Sequence, residues 1–420
     1  MNATPIGLRQ LEGGGVTSAA GFKAGGIHAG FRKKTPDRLD LALVEADEVC
    51  SAAGTFTTNV FCAAPVIVSR ENLGEGCAGT ARAVVVNSGN ANAATGDVGL
   101  ETARRECQIV SEAVGCAAED VLVASTGVIG QHLPLEPFET GVPALRAKIS
   151  AEGGAEAARA IMTTDTVPKE CAVAYESADP AYAGTTFTVG GMCKGSGMIM
   201  PNMATMIAVV TTDAPVAPAA LRAALLAAVQ RSFNKVTVDS DTSTNDTCFA
   251  LASGAAAPGA APIVQGTPAY DELAAAVLEV CTQLARKIAV DGEGATRLVT
   301  VTVEGAADDA DADLAARTVA NSPLVKTAIY GHDCNWGRIA AALGKSGARF
   351  SQRDVSIDIM GLPVCREGLT VPFDEDEALR RFEEPEITIW ADLGAGCAAT
   401  TVWTCDFTHE YVTINGDYRT

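Results

Sequence analysis

A candidate reactive threonine lies where the stretch KGSGMIMPNMATMIAVVTTDA (residues 194–214) changes character. The Gly/Ser residues and Pro201-Asn202 before it are typical of a loop, whereas the apolar run from Met206 to Val210 after it is typical of a buried strand. A threonine hydroxyl becomes an effective nucleophile when a nearby base accepts its proton, and the threonine's own α-amine is such a base once the chain is cut before it. An α-amine titrates near pH ~8, so it can act as a general base close to neutral pH.

The Ala204–Thr205 bond is therefore a candidate for self-cleavage. In this hypothesis the loop holds the Ala204 carbonyl over the Thr205 hydroxyl, and an N-to-O acyl shift followed by hydrolysis releases a new N-terminal threonine that the strand anchors. An Ala-Thr pair entering a strand is most often only that, so the pattern alone leaves both interpretations open.

Length and composition indicate a globular chain. With 420 residues, 48% of them hydrophobic, the sequence has material for two to three domain-sized units. Acidic residues outnumber basic ones by 51 to 31, which disfavours binding to nucleic acid or to anionic membranes. Neither an export signal nor a run of eighteen apolar residues is evident, so we expect a cytoplasmic protein.

Motifs for cofactors and metals fail on spacing. Gly344-Lys345-Ser346 resembles the end of a phosphate-binding loop, but Ile339 stands where the first glycine is required. The run from Asp239 to Thr244 begins like a calcium loop but lacks the glycine at position six and has Ala250 where the final glutamate belongs. The thirteen cysteines include no CxxC pair, which predicts reduced core residues. We expect no metal and no cofactor.

Short apolar runs alternate with Ala-rich helical patterns, which predicts layered α/β structure. The predicted strands are 83–86, 121–124, 186–189, 206–210, 236–238, 248–252, 298–303 and 355–360. The predicted helices are 100–113, 143–151, 218–233, 270–287 and 322–330. In the helix from Pro218, Leu221, Leu225 and Val229 recur on one face and should pack on a sheet.

Ten sequence blocks, spread over nearly the whole chain, resemble those of the ornithine acetyltransferase family, the bifunctional glutamate N-acetyltransferases of arginine biosynthesis. The blocks are GGVTSAAGFKAGGIHAGF, AAGTFTTNVFCAAPV, VVVNSGNANAATG, STGVIG, IMTTDT, KGSGMIMPNMATM, VDSDTSTND, KIAVDGEGATR, SPLVKTAIYGHDCNWGRI and YVTINGDYRT. The resemblance implies an α/β layered sandwich similar to the N-terminal-nucleophile hydrolases. It also implies self-cleavage at Ala204–Thr205 into an α chain (residues 1–204) and a β chain (residues 205–420), associated as two α and two β chains.

The resemblance also carries residue roles. Thr205 matches the nucleophile, and Thr126 and Gly127 match the pair that stabilises the oxyanion. The matching substrate-binding residues are Thr163, Lys194, Thr205, Glu293, Asn415 and the terminal Thr420. Thr164, next to Thr163, is the alternative for the first of these.

The implied reaction moves the acetyl group of N-acetylornithine to glutamate through an acetyl-threonine ester. Some family members also accept acetyl-CoA, and related antibiotic-pathway acetyltransferases share the motifs; no residue named here separates these cases. Two rival interpretations remain open: an N-terminal-nucleophile amidase or aminopeptidase, in which water accepts the acyl group, and a binding protein that keeps the fold but is never cut.

Overall fold

The computed structural model describes residues 7–32, 35, 37–200 and 206–417. Its strands are β1 (Arg9–Gln10), β2 (Phe22–Ile27), β3 (Leu41–Phe56), β4 (Ala78–Asn90), β5 (Val121–Val128), β6 (Lys169–Glu176), β7 (Thr186–Lys194), β8 (Ile207–Thr212), β9 (Thr247–Ala252), β10 (Leu298–Ala306), β11 (Ser356–Ile359), β12 (Leu362–Arg366), β13 (Leu369–Thr370), β14 (Glu386–Asp392) and β15 (Ala398–Cys405). Its helices are α1 (Ala64–Leu73), α2 (Gly96–Val114), α3 (Glu136–Arg146), α4 (Gly154–Ala160), α5 (Pro218–Arg231), α6 (Pro268–Val290), α7 (Asp309–Ala320), α8 (Pro323–Tyr330), α9 (Trp336–Gly344), α10 (Glu375–Arg381) and α11 (His409–Asp417).

One large mixed sheet dominates the described structure. Its strands follow the order β1-β6-β7-β8-β9-β3-β4-β5, with β2 paired to β3 as well. The pairs β8/β9 and β4/β5 are parallel, and the other pairs are antiparallel. The long strand β3 joins the two halves, because it pairs with β2 before a register shift between Glu45 and Cys50 and with β9 after it.

The two halves of this sheet pack face to face. Ala42 and Val44 of β3 share an apolar core with Ile207 and Val209 of β8 and with Phe249 of β9. Alternate residues point the other way: those of β3–β5 pack under α1, α2 and α3, and those of β7–β9 pack under α5 and α6. Strands β8 and β9 are buried on both faces, so their sequences are largely apolar, as the sequence indicated. The layer order is helix, sheet, sheet, helix, and the predicted α/β layered sandwich is confirmed.

A second sheet, in the order β13-β12-β11-β14-β10-β15, lies entirely within residues 298–405. Helices α7, α8 and α9 contribute Ala316, Ile329 and Ile339 to the core on one of its faces. Leu298 of β10 and Trp403 of β15 belong to the apolar core beneath α5 and α6. These two residues connect the second sheet to that layer of helices.

Most predicted elements are confirmed, and two are wrong. The predicted helix 143–151 is instead α3, which ends at Arg146 and contains Pro143 in its interior. The buried face of α3 comes from Phe138, Val142 and Leu145, so the proline that opens the helix is Pro137. The predicted strand 236–238 is reduced to a single bridge between Val236 and Trp403.

Two global properties complete the description. Eight of the thirteen cysteines are buried, as expected for small core residues. Within the described ranges, no helix combines the length and apolar character needed to span a bilayer.

Candidate active site

Six of the residues predicted from the sequence line a single cavity: Thr126, Gly127, Thr163, Lys194, Glu293 and Asn415. The cavity is open to solvent, and its empty space, open mouth included, is about 650 Å³. Thr164 lines it as well, so the sequence ambiguity between Thr163 and Thr164 persists. Three further predicted positions, Ala204, Thr205 and Thr420, lie outside the described residues.

Thr126 and Gly127 lie at the end of β5, where its parallel pairing with β4 becomes irregular. Gly127 has φ +135°, and a Cβ there would lie 2.3 Å from the carbonyl carbon of Gly89 and 2.5 Å from the amide nitrogen of Asn90. Only glycine fits this backbone, which lets β5 approach β4 closely. The Asn245 side chain fixes the same place, because its amide group donates to the carbonyls of Ala91 (2.6 Å) and Ser125 (2.9 Å).

A buried network of four charges supports Thr163 and Lys194. The Asp165 carboxylate accepts the backbone N–H of Thr163 at 2.9 Å and that of Gly195 at 2.7 Å. It also pairs with Lys169 at 2.7 Å and lies 3.9 Å from the Lys194 ammonium. Lys169 in turn contacts Asp291 at 2.5 Å, two residues before Glu293.

The network contains two carboxylates and two ammonium groups, so its charges balance. Burial would raise the pKa of Asp165, but Lys194 and Lys169 outweigh burial and hold that pKa well below its ordinary value. For Lys194, burial and the nearby Lys169 lower the pKa more than Asp165 raises it. Asp165 is therefore a fixed negative charge beside a lysine whose ammonium form is weakened by its surroundings.

Glu293 and Asn415 are held together across the cavity wall. The Asn415 side-chain amide donates to the Glu293 carboxylate at 2.7 Å and to the Tyr411 carbonyl, one turn earlier in α11, at 3.0 Å. The Glu293 backbone N–H donates to the Ser196 carbonyl at 3.1 Å, which ties it to the loop after β7. Gly294 has φ +71°, and a Cβ there would lie 2.7 Å from the Tyr411 nitrogen, so the glycine lets this turn approach α11.

Nearly all of the chain matches one family of proteins. The family model described as "ArgJ family" matches residues 23–420. The arginine biosynthesis bifunctional protein ArgJ of Symbiobacterium thermophilum is 49% identical over 407 residues, which cover 97% of this chain and 99% of that protein. The chain belongs to the ArgJ family.

Solved structures are similar as well. A crystal structure of the arginine biosynthesis bifunctional protein ArgJ from Bacillus halodurans is 40% identical, covers 50% of this chain and 97% of its own, and has a TM-score of 0.48. An aminopeptidase of Ochrobactrum anthropi, described as a variant of the Ntn hydrolase fold, is 12% identical, covers 69% of this chain and 90% of its own, and has a TM-score of 0.40.

Membership of the ArgJ family confirms the family predicted from the sequence blocks. It also confirms the prediction of an acetyltransferase enzyme of arginine biosynthesis.

Within this ArgJ-family site, sequence reasoning missed the residues that hold the others in place. Asp165, Lys169, Asp291 and Asn245 do so through buried hydrogen bonds and ion pairs. A signal was present, because Asp165 and Asp291 each lie within a few residues of an apolar run, Ile161-Met162 and Ile288-Ala289-Val290, and charges that become buried are normally paired. In the described part of the chain, no group of three or more His, Cys, Asp or Glu side chains is placed to hold a metal ion.

Proposed function

We propose that this chain transfers the acetyl group of N-acetylornithine to glutamate through an ester on Thr205. The observation that supports this most directly is the single cavity shared by the Thr126–Gly127 turn, Thr163, Lys194, Glu293 and Asn415. Met206, the residue after Thr205, begins the chain that continues into β8, a strand in the interior of the large sheet. A nucleophile at the start of such a strand has a rigid support.

Each step of this reaction uses a group of the chain itself. The Thr205 hydroxyl attacks the acetamide carbonyl while the Thr205 α-amine accepts its proton. Thr126 and Gly127 donate hydrogen bonds to the oxyanion, and the amine then passes the proton to the departing α-nitrogen of ornithine. The C–N bond breaks, an acetyl ester remains on Thr205, and glutamate takes the acetyl group by the reverse steps.

The charges of the cavity suit both amino acids. N-acetylornithine and glutamate share an α-carboxylate, which we assign to Lys194, whose ammonium would gain a partner when the substrate binds. The side-chain ammonium of ornithine is assigned to Glu293, which Asn415 already orients. Thr163 and Thr420 complete the substrate contacts in this proposal.

Activation requires self-cleavage between Ala204 and Thr205. It produces an α chain of residues 1–204 and a β chain of residues 205–420, assembled as two of each and working in the cytoplasm. Acetyl-CoA is the second acetyl donor to be tested, because the relatives are named bifunctional proteins.

The deciding experiment measures ornithine release from N-acetylornithine with and without glutamate. Transfer predicts release that depends on glutamate, together with formation of N-acetylglutamate. Release at the same rate without glutamate would instead identify an amidase. The matched control is Thr205→Ala, which should stay at 43 kDa on a denaturing gel and be inactive, while the mass spectrum of the unmodified protein should show a fragment that begins at Thr205.

A further inference from the structure

Residues 239–247, here called the clamp segment, contact the chain on both sides of residues 201–205. On one side, the Asp239 carboxylate accepts the backbone N–H groups of Met198 at 2.6 Å and Ile199 at 2.8 Å. On the other side, the Asp246 carboxyl accepts the N–H of Met206 at 2.7 Å. The Thr247 N–H also donates to the Met206 carbonyl at 3.0 Å, so Met206 is held at both its amide and its carbonyl.

Two neighbouring side chains of the clamp segment connect the Thr126–Gly127 turn of the cavity with the start of β8. Asn245 holds the Ser125 carbonyl, directly before the Thr126–Gly127 turn. Asp246 holds the Met206 amide, directly before β8. The backbone carbonyl of Asp246 accepts the N–H of Thr57 at 2.9 Å, which fixes the segment to the end of β3. Adjacent residues of one segment thus hold both the turn and the start of β8.

Asp246 has features that a purely structural role does not require. Its side chain is 1% exposed, and its Oδ2 atom has no hydrogen-bond partner among the described residues. Burial raises the pKa of Asp246 well above its ordinary value, although Lys194 opposes this. Buried carboxyls with strongly shifted pKa values are characteristic of functional sites.

We infer that Asp246 is a positioning residue for the nucleophile, acting through the amide of Met206. A peptide unit is planar, so a hydrogen bond to the Met206 N–H restrains the orientation of the peptide group that links the proposed nucleophile to β8. The same hydrogen bond serves self-cleavage and acetyl transfer, since both reactions use the residue before Met206. This inference rests on the proposed function, in which that residue is the nucleophile.

The test compares Asp246→Ala with Asp246→Asn and with a control, Asp213→Ala. Asp213 is also a buried carboxyl that accepts backbone N–H groups, those of Thr188 (2.8 Å) and Ala20 (3.2 Å), but it follows the far end of β8. Two readouts are taken: the half-time of cleavage of newly made chain, and kcat and KM per cleaved chain.

Asp246→Ala should slow cleavage and lower kcat by about 10- to 100-fold while KM for N-acetylornithine changes by less than about threefold, because a small displacement of reacting groups has effects of that size. Asp246→Asn should restore both rates to within about fivefold of the unmodified chain, since its carbonyl oxygen can accept the same N–H. Asp213→Ala should lower Tm and leave kcat unchanged.

Two results would overturn the inference. One is an unchanged kcat and cleavage rate in Asp246→Ala. The other is an equal loss of kcat in Asp246→Ala and Asp213→Ala at equal loss of Tm, which would assign Asp246 to the fold alone. If the unmodified chain cleaves but transfers no acetyl group, the proposed function fails, and the cleavage half-times still decide the role of Asp246.

Discussion

At the residue scale, the candidate site depends on close backbone contacts that only glycine allows. Gly127 is the clearest case, because both its φ of +135° and the 2.3 Å approach to Gly89 exclude a side chain. The short block Ser125-Thr126-Gly127 was assigned to the oxyanion pair by resemblance alone. The geometry adds a physical reason for the glycine, which is the irregular end of the β4/β5 pairing.

Gly127→Ala should therefore displace the end of β5 and remove an oxyanion donor. We expect kcat to fall by about 10²- to 10³-fold, the usual effect of losing one such donor. Gly130→Ala is the control, since Gly130 also has a positive φ (+80°) but its Cβ would meet no atom within 4 Å. That variant should cost about 1–2 kcal/mol of stability and keep its activity. Steady-state kinetics on both variants, normalised to cleaved chain, checks this prediction, and equal kcat values in the two would contradict it.

Glu293→Gln tests the assignment of the ornithine ammonium. A glutamine can still accept the hydrogen bond from Asn415, so the wall of the cavity should stay intact, but the negative charge is lost. Hydrogen bonds to charged groups contribute about 1.5–3 kcal/mol, so KM for N-acetylornithine should rise by about tenfold or more. Glu410→Gln is the control, because Glu410 is exposed and lies against the same turn. An unchanged KM in Glu293→Gln would refute the assignment.

At the element scale, the sequence predicted several strands that are buried on both faces, but it missed the longest strand of the large sheet. Strands β5, β8 and β9 are continuous apolar runs and were found. The longest strand, β3, was missed because Asp47, Glu48 and Val49 are exposed in its middle, where the register shifts. Helix α11, which carries Asn415, has no buried residue and therefore no apolar stripe to recognise. The ion pair of Lys169 with Asp291 was also missed, because 122 residues separate them and no local pattern encodes such a pairing.

Helix α2 contains a buried carboxyl that makes stability depend on pH. Glu106 is 1% exposed, neither of its oxygens has a hydrogen-bond partner within the described ranges, and burial raises its pKa to about 8. Between its ordinary pKa of 4.5 and about 8 the folded chain binds this proton and the unfolded chain does not, so this group lowers the free energy of unfolding as pH rises.

Glu106→Gln should remove this part of the pH dependence, which is on the order of 4 kcal/mol between pH 5 and 8.5. The expected result is a flatter profile of unfolding free energy against pH, with the variant more stable than the unmodified chain at the alkaline end. Urea unfolding at several pH values measures it. Glu101→Gln, an exposed position of the same helix, should leave the profile unchanged. Parallel profiles for Glu106→Gln and the unmodified chain would refute the prediction.

At the scale of the whole molecule, the proposed cut divides the large sheet in an interleaved way. Strands β8 and β9 belong to the proposed β chain, yet they lie between β7 and β3 of the proposed α chain. The two borders between the proposed chains are the strand pairs β7/β8 and β9/β3, and each is a full ladder of backbone hydrogen bonds. Apolar cores cover both faces of these strands. The two chains therefore form one structure.

The cut chains should consequently remain together under native conditions. Size-exclusion chromatography at neutral pH should give one peak that contains both fragments, whereas a denaturing gel should show two bands near half of 43 kDa. Separation of the fragments in native buffer would contradict this interleaving. Chain that carries Thr205→Ala provides the uncut reference for both measurements.

The position of β8 has a consequence for how such an enzyme is made. The residues that would position the proposed cut, Asp246 among them, reach Met206 only in the folded sheet, so an unfolded polypeptide lacks this arrangement. Only a correctly folded chain would then cleave itself and become active, and a misfolded chain would stay inactive. Two genes that encoded the proposed halves separately would yield fragments that each lack their neighbours in the sheet, so the interleaved strands favour synthesis as a single precursor.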